Sequence, residues 1–236
     1  MKIFLEKLKW IGLALGLFLA EQAGVFVISF AAVVKTIAKY GRQADSNHLL
    51  PAGPVGVGLA VLVELGALAL AVWLLYRWNF IKKKGLNWKI LVFGLILSYA
   101  LVLGIEQVAS FVMQLEDKTN TSNQQAVESM LSYVPAFFMI IAVAITAPVI
   151  EELIFRGFIQ QKLFRNPWLG YLFGSLAFGL AHTPDSWGAA LAYIGMGAVI
   201  GFFAFKYKRL EYGIALHILN NFISVLIMYQ MISLPW

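Results

Sequence analysis

An all-α, polytopic transmembrane helical bundle of seven to eight helices is predicted by three observations. Hydrophobic residues make up 61% of the 236-residue chain and charged residues only 13%, about half of the ~25% usual in soluble domains. The apolar residues form continuous runs and do not alternate, and in lipid only structures that pair every backbone group internally can span, which favours helices over barrel strands here. Lys and Arg cluster between the runs, as in the loops of a membrane protein.

The runs, in order, are Ile11–Val34, Val55–Tyr76, Ile90–Met113, Val134–Phe158, Leu169–His182, Ala189–Phe205 and Tyr212–Met231. The first follows Lys2, Lys7 and Lys9 and has the outline of a secretory signal. Apolar character resumes after Glu21-Gln22, however, which is too long for a signal core, so it reads as a retained span. The fifth and sixth runs are shorter than the usual ~20 residues, and an eighth, short helix fits one of the longer connections. Arg77, Lys82, Lys83, Lys84 and Lys89 mark a cytoplasmic loop, and Glu116-Asp117 with the polar stretch to Glu128 marks an external one. Alternation then puts the N-terminus, Lys162/Arg165 and Lys206/Lys208/Arg209 inside, while Lys35, Lys39 and Arg42 dissent from the pattern. Residues 1–130 form N-terminal transmembrane helices and residues 131–236 the helices that carry the chemistry, within one integrated bundle.

Composition excludes several functions. The chain has no cysteine, so disulfides, thiolate catalysis and Cys-bound zinc are absent. A pI near 9.5 admits nucleic-acid binding in principle, but no basic stripe with interleaved aromatics supports it. The implied surroundings are a lipid bilayer, in a multi-pass protein of a cell membrane.

Two adjacent acids, Glu151 and Glu152, lie inside the fourth run. A charge near the bilayer centre costs roughly 2.5–3.5 kcal/mol on insertion scales, so the pair requires a partner, a water-filled cavity or a chemical task. Phe178-Gly-Leu-Ala-His182 and His217-Ile-Leu-Asn-Asn221 follow in equally apolar surroundings. Taking a helix rise of 1.5 Å per residue from the cytoplasmic ends, Glu151 lies roughly 13 Å deep, His182 about 21 Å, His217 about 9 Å and Asn221 about 15 Å. Convergence of the four within one bundle is therefore feasible, and these depths predict an opening towards the cytoplasm. Glu152 and Arg156 are i,i+4 and pair on one face, leaving Glu151, about 100° around the helix, to face a different group. His217 and Asn221, also i,i+4, present an imidazole and an amide side by side. Pro184 ends the helix just past His182, and Pro148 bends the fourth span. Glu21, Glu64 and Glu106 also fall within spans, where interior hydrogen bonding is the favoured reading.

Glu151-Glu152-x-x-Phe155-Arg156, Phe178-x-x-x-His182 and His217-x-x-x-Asn221 together resemble the three motifs of the CPBP family. This family comprises the type II CAAX prenyl endopeptidases and their bacterial relatives, also called the Abi or bacteriocin-processing proteins. The likeness spans roughly Val134 to Met231. It implies an intramembrane endopeptidase in which Glu151 and His182 activate water, while His217 and Asn221 stabilise the oxyanion. Glu152 would join the catalytic group, and Arg156, Phe155 and Phe178 would support it. The partner implied is a peptide or membrane-protein substrate, in settings such as peptide maturation, pheromone processing or bacteriocin self-immunity. Chemistry agrees on its own terms: desolvation makes a carboxylate a stronger base, and a missing oxyanion donor typically costs ~2.7–4 kcal/mol. Zinc bound by Glu151, His182 and His217 is the mechanistic alternative, since three protein ligands suit a catalytic site. The His-Glu-x-x-His helix is missing, so catalysis without a cofactor is the favoured expectation. A non-catalytic immunity or scaffold protein of the same fold, and a small proton-coupled transporter, are the alternatives from other functional classes.

Overall fold

The structure is a computed structural model that describes residues 2–45, 48–82 and 85–232; Lys83 and Lys84 of the basic loop lie outside the described residues. Helices α1 (Lys2–Tyr40), α2 (Pro54–Arg77) and α3 (Trp88–Leu115) are long and apolar. A short α4 (Ser122–Ser129) then occupies the polar connection where an eighth helix was expected. Next come α5, a continuous helix over Ala136–Leu163, then α6 (Pro167–Ala181), α7 (Trp187–Tyr207) and α8 (Glu211–Met228). Six of these helices are long and apolar enough to cross a membrane, and α6 is a shorter apolar helix. With no strand among the described residues, the chain is an all-α, multi-pass membrane protein.

Local signals set the helix starts. Asn87 Oδ1 accepts from the backbone N–H of Lys89 (3.0 Å) and Ile90 (3.3 Å), Asn166 Oδ1 from that of Trp168 (2.9 Å), and Ser186 Oγ from that of Ala189 (3.0 Å). Each satisfies donors that a first helical turn leaves free. Pro54 and Pro167 sit in the first turns of α2 and α6, where the missing N–H costs nothing. Helix α7 stops at Lys208, which adopts a left-handed conformation (φ 53°).

Helix α1 is longer than its apolar run predicts. Its 39 residues reach about 58 Å, well beyond a hydrocarbon core of ~30 Å, so the segment carrying Lys35 and Lys39 extends past the apolar stretch. That extension accommodates the dissenting charges, and Lys35 Nζ donates to the Pro51 carbonyl at 2.8 Å. On α3, Phe93, Ile96 and Leu97 are exposed. Exposed apolar faces on this scale fit lipid as the solvent.

Helix α5 is the most buried of the spans. It pairs its backbone in π-helical fashion over Ile140–Thr146 and again over Glu152–Leu163, with an α-helical turn, Ala147–Glu151, between. Pro148, expected to bend this span, lies in that central turn. Helix α6 approaches α5, and α7 approaches α3, through small residues, as membrane helices do. A Cβ added at Gly170 would stand 2.1 Å from the Gln160 carbonyl oxygen, and one at Gly188 would stand 2.7 Å from that of Ala109. The main apolar core joins Trp10 and Leu17 of α1 and Leu74 of α2 to Ile150, Leu153 and Phe158 of α5 and to Ile200 and Leu216 beyond.

The ends of the bundle are tied separately. At the basic end, Arg209 Nη2 donates to the Lys82 carbonyl (3.1 Å) and Glu211 Oε1 accepts from the Lys82 N–H (2.8 Å). At the other end Lys118 pairs with Asp185, and Glu116 accepts from the N–H groups of Trp187 (2.9 Å) and Gly188 (3.0 Å), capping α7. Those two amides hold the Glu116 carboxyl below the usual carboxylate range, and the hydrogen bond from Lys118 is the main reason the Asp185 carboxyl is pushed down to about 2.

Candidate active site

Glu151 and Glu152 leave α5 in different directions and meet different groups. Glu151 Oε2 lies 3.8 Å from His217 Nε2 and 4.0 Å from His182 Nε2. Glu152 Oε1 lies 2.9 Å from Arg156 Nη1 and 3.2 Å from His217 Nδ1. Exposure separates the two acids: the Glu151 side chain retains 14% and His182 15%, while Glu152 and Arg156 are at 0%. The Glu151 side chain keeps a little exposure although its Oε2 is itself buried without a hydrogen-bond partner, while Glu152 is sealed completely.

The sealed group is heavily constrained. Arg156 Nη2 donates to the Gly197 carbonyl at 2.8 Å, and its guanidinium lies 4.3 Å from the centre of the Phe178 ring, a desolvated cation–π contact. Phe178 also packs edge-on against Phe155 (5.4 Å) and His217 (5.4 Å). The three residues expected to support the site thus form one stack that carries Glu152 and His217.

Hydrogen bonds orient both imidazoles. His182 is the C-cap of α6, its helix ending as Pro184 predicted, and its Nδ1–H donates to the Phe178 carbonyl at 2.8 Å. His217 Nδ1–H donates to the Glu152 carboxylate, an ionised carboxylate being acceptor only. In both neutral rings the Nε2 lone pair is left free and faces Glu151 Oε2. His182 is further held by Tyr193, whose ring stacks on it at 4.5 Å and whose hydroxyl meets Thr121 Oγ1 at 2.7 Å. Asn221 Nδ2 donates to the Val143 carbonyl at 3.0 Å, in the first π-helical stretch of α5.

A cavity of about 620 Å³ has His182, His217 and Asn221 in its wall, together with Glu106, Tyr193, Met196 and Asn220. Sequence reasoning missed Tyr193 and Asn220 as site residues and took Glu106 for an interior group. Only a polar residue within an apolar run marked Glu106, and nothing in the sequence marked Tyr193. Glu64 is fully buried in the space that Gly24 leaves, and Glu21 accepts a hydrogen bond from Gln22 at 3.4 Å.

The cavity reaches the end of the bundle opposite the basic loops, whereas the depths predicted an opening towards them. The remaining wall of the cavity comes from Thr119, Asn120, Thr121, Asn123, Gln124 and Glu128, at the end opposite the basic loops. Depth measured from one end of each helix locates a residue along the bundle axis. It carries no information about which end is plugged, and here side chains that fill the basic end decide the matter.

Residues 133–223 match the family model described as type II CAAX prenyl endopeptidase, Rce1-like. The chain is 28% identical over 199 residues to the UPF0177 protein YajF of Lactococcus lactis, covering 84% of this chain and 92% of that one. A second Lactococcus lactis protein, the UPF0177 protein YbdI, is 33% identical over 86 residues, 36% of this chain and 46% of that one. YdiL of Bacillus subtilis, named provisionally as a membrane peptidase, is 30% identical over 112 residues, 47% of this chain and 44% of that one. No solved structure matches. The matched segment holds all three motifs, Glu151-Glu152-x-x-Phe155-Arg156, Phe178-x-x-x-His182 and His217-x-x-x-Asn221, and over it the chain is similar to the type II CAAX prenyl endopeptidases.

Proposed function

We propose that the chain is an intramembrane endopeptidase that cleaves a membrane-associated peptide or protein with water activated by Glu151. The observation that carries this reading is the convergence of Glu151 Oε2 on two imidazole Nε2 atoms at 3.8 and 4.0 Å. No direct hydrogen bond joins them at those separations, so a water seated there donates to Glu151 and to one of the imidazoles. Glu151 takes its proton as the water oxygen attacks the peptide carbonyl, and His182, fixed by Phe178, orients the attack. Protonated Glu151 then returns that proton to the leaving nitrogen as the C–N bond breaks. The second N–H of the Asn221 amide is free to donate to the developing oxyanion, and His217 adds a donor there once its Nε2 is protonated. His217→Ala and Asn221→Ala therefore lower kcat far more than they raise KM, since oxyanion contacts form mainly in the transition state.

The same two nitrogens favour a second reading, zinc held by Glu151, His182 and His217. When bound, the ion would polarise the carbonyl and acidify its water. Bonds of ~2.0–2.1 Å in a tetrahedral site put ligand atoms roughly 3.3 Å apart. The observed 3.8 and 4.0 Å thus require the side chains to close by about half an ångström. Purified protein that keeps its activity after exhaustive chelation supports the water mechanism; activity lost on chelation and restored by stoichiometric zinc supports the metal.

Membrane peptidomics on cells carrying the intact chain and the Glu151→Gln variant tests the enzyme reading itself. A new peptide terminus present only with Glu151 intact is the expected result, and it identifies the substrate, whether a maturing peptide, a pheromone precursor or a bacteriocin-linked partner. Identical termini in both cells, with a retained phenotype, would instead favour a non-catalytic immunity or scaffold protein.

A further inference from the structure

We infer that an anionic phospholipid docks on the flank of α2, with an acyl chain in an apolar groove beside the start of α5 and its phosphate on Lys35, Lys39 and Arg42. The groove shares no lining residue with the cavity that holds His182 and His217, and the peptidase reading does not bear on it.

The groove encloses about 880 Å³ and is almost wholly apolar. Its walls are Pro51 ahead of α2, Val57, Gly58 and Val61 on that helix, and Val134 and Phe137 where the chain enters α5. Hydrogen bonds hold the walls in place. The Tyr133 hydroxyl meets Ser29 Oγ of α1 at 3.3 Å, and the Tyr229 hydroxyl donates to the Val134 carbonyl at 2.6 Å. From Pro54 to Leu62, both in its lining, the groove follows α2 for about 12 Å. It runs from the end of the span towards its middle, the direction in which an acyl chain lies.

Cations stand at its head. Lys35 and Lys39, i,i+4 on α1, and Arg42 just past the end of that helix are all exposed. Lys35 Nζ is tied to the carbonyl of Pro51 at 2.8 Å, which puts its charge at the groove wall with two further N–H donors to offer. Thr36 Oγ1 accepts from the Leu50 N–H at 2.9 Å and so keeps the same segment against α1. No carboxylate among the described residues forms an ion pair with any of the three. These are the charges that run against the alternation of the other basic loops. Unneutralised cations beside an apolar slot complement an amphiphile with an anionic head. A second copy docking through this face in a two-fold interface would set the same cations against one another, and a zwitterionic lipid would bring its own ammonium to them.

Lipid titration of the purified full-length chain by native mass spectrometry tests the site, with palmitoyl-oleoyl phosphatidylglycerol and palmitoyl-oleoyl phosphatidylcholine as probes. A basic residue at an anionic lipid surface contributes roughly fivefold to binding, so the wild type is expected to prefer phosphatidylglycerol by about twentyfold. The combined Lys35→Gln, Lys39→Gln and Arg42→Gln variant is expected to bind the two lipids alike. Lys39→Gln alone, which leaves the tie from Lys35 to Pro51 in place, is expected to lose about fivefold of the preference. At Gly58 an added Cβ meets nothing within 4 Å, so Gly58→Phe fills the groove without displacing a neighbour and is expected to weaken phosphatidylglycerol binding although every cation remains. Inorganic phosphate is expected to leave the bound lipid in place. Equal binding of both lipids by the wild type, a preference undiminished in Lys39→Gln, unchanged binding in Gly58→Phe, displacement by inorganic phosphate, or a dimer that excludes the lipid would each overturn the inference.

Discussion

At the scale of single residues, the structure divides labour between two neighbouring acids. Glu152 bridges Arg156 and His217 with one oxygen, at 2.9 and 3.2 Å, whereas Glu151 Oε2 lies 3.8 Å from His217 Nε2 and 4.0 Å from His182 Nε2. Glu151→Gln should therefore abolish turnover and leave the melting temperature nearly unchanged. Glu152→Gln should lower stability by about 3–5 kcal/mol, the usual consequence of leaving one buried charge unpaired. It should also lower activity, because His217 loses the acceptor that fixes its tautomer. Thermal unfolding in detergent and turnover measured on the two variants check this, and equal loss of activity with no thermal shift in either would contradict the division. These groups were legible in the sequence because helical spacing alone brings Glu152 to Arg156 and His217 beside Asn221. Glu106, Tyr193 and Asn220 were not, because their places in the wall depend on how α3, α7 and α8 pack, and no short-range spacing encodes that.

Among the elements, α6 owes its closeness to α5, and α7 its closeness to α3, to glycine. At Gly170 and Gly188 an added methyl group would meet backbone carbonyls of Gln160 and Ala109, which cannot swing aside as a side chain would. Gly170→Ala and Gly188→Ala should each destabilise by about 1–3 kcal/mol through overpacking. Gly104→Ala, with nothing within 4 Å of the new atom, should leave thermal stability unchanged or raised; equal melting temperatures for all three would remove close approach as the explanation. The capping of α7 and the loop before it respond to pH. The Asp185 carboxyl is pushed down to about 2, first by its hydrogen bond from Lys118, so folding favours its ionised form. That stabilisation is present in full above the ordinary value near ~3.9 and fades as pH falls through the folded value. The gap in melting temperature between wild type and Asp185→Asn should accordingly be constant from pH 7 to about 5 and narrow below ~3.9; a gap that persists undiminished to the lowest pH would contradict it. The order and number of helices were legible from apolar runs and cap residues such as Asn87, Asn166 and Ser186. The π-helical stretches of α5 were not: Pro148 announced a disturbance, but i→i+5 pairing on either side depends on tertiary neighbours, such as Asn221, whose Nδ2 donates to the Val143 carbonyl.

For the molecule as a whole, the family motifs occupy the second half of the chain, yet the core that supports them is shared. Trp10 of α1 is only 6% exposed and packs edge-on against Trp78 at 4.9 Å and against Phe158 of α5 at 5.3 Å. Leu17 and Leu74 join the same core as Ile150 and Leu153, which directly flank the two acids. Residues before 130 also build the outer wall of the cavity, through Glu106 and the Thr119–Glu128 connection. None of this could be read from the N-terminal sequence, whose apolar runs look alike whichever face meets protein and whichever meets lipid. The consequence is that residues 131–236 carry the candidate catalytic groups without the surroundings that hold them. Expressed alone, this segment should fail to give a monodisperse helical protein in detergent, and co-expression with residues 1–130 should restore both folding and Glu151-dependent cleavage. Trp10→Ala in the full chain should destabilise by about 3–5 kcal/mol, as emptying a large aromatic site does, and should lower activity although the residue lies far along the bundle from the cavity. A stable, active 131–236 segment would show instead that α5 and its neighbours hold the acids unaided, and that the N-terminal helices serve access and not the architecture of the site.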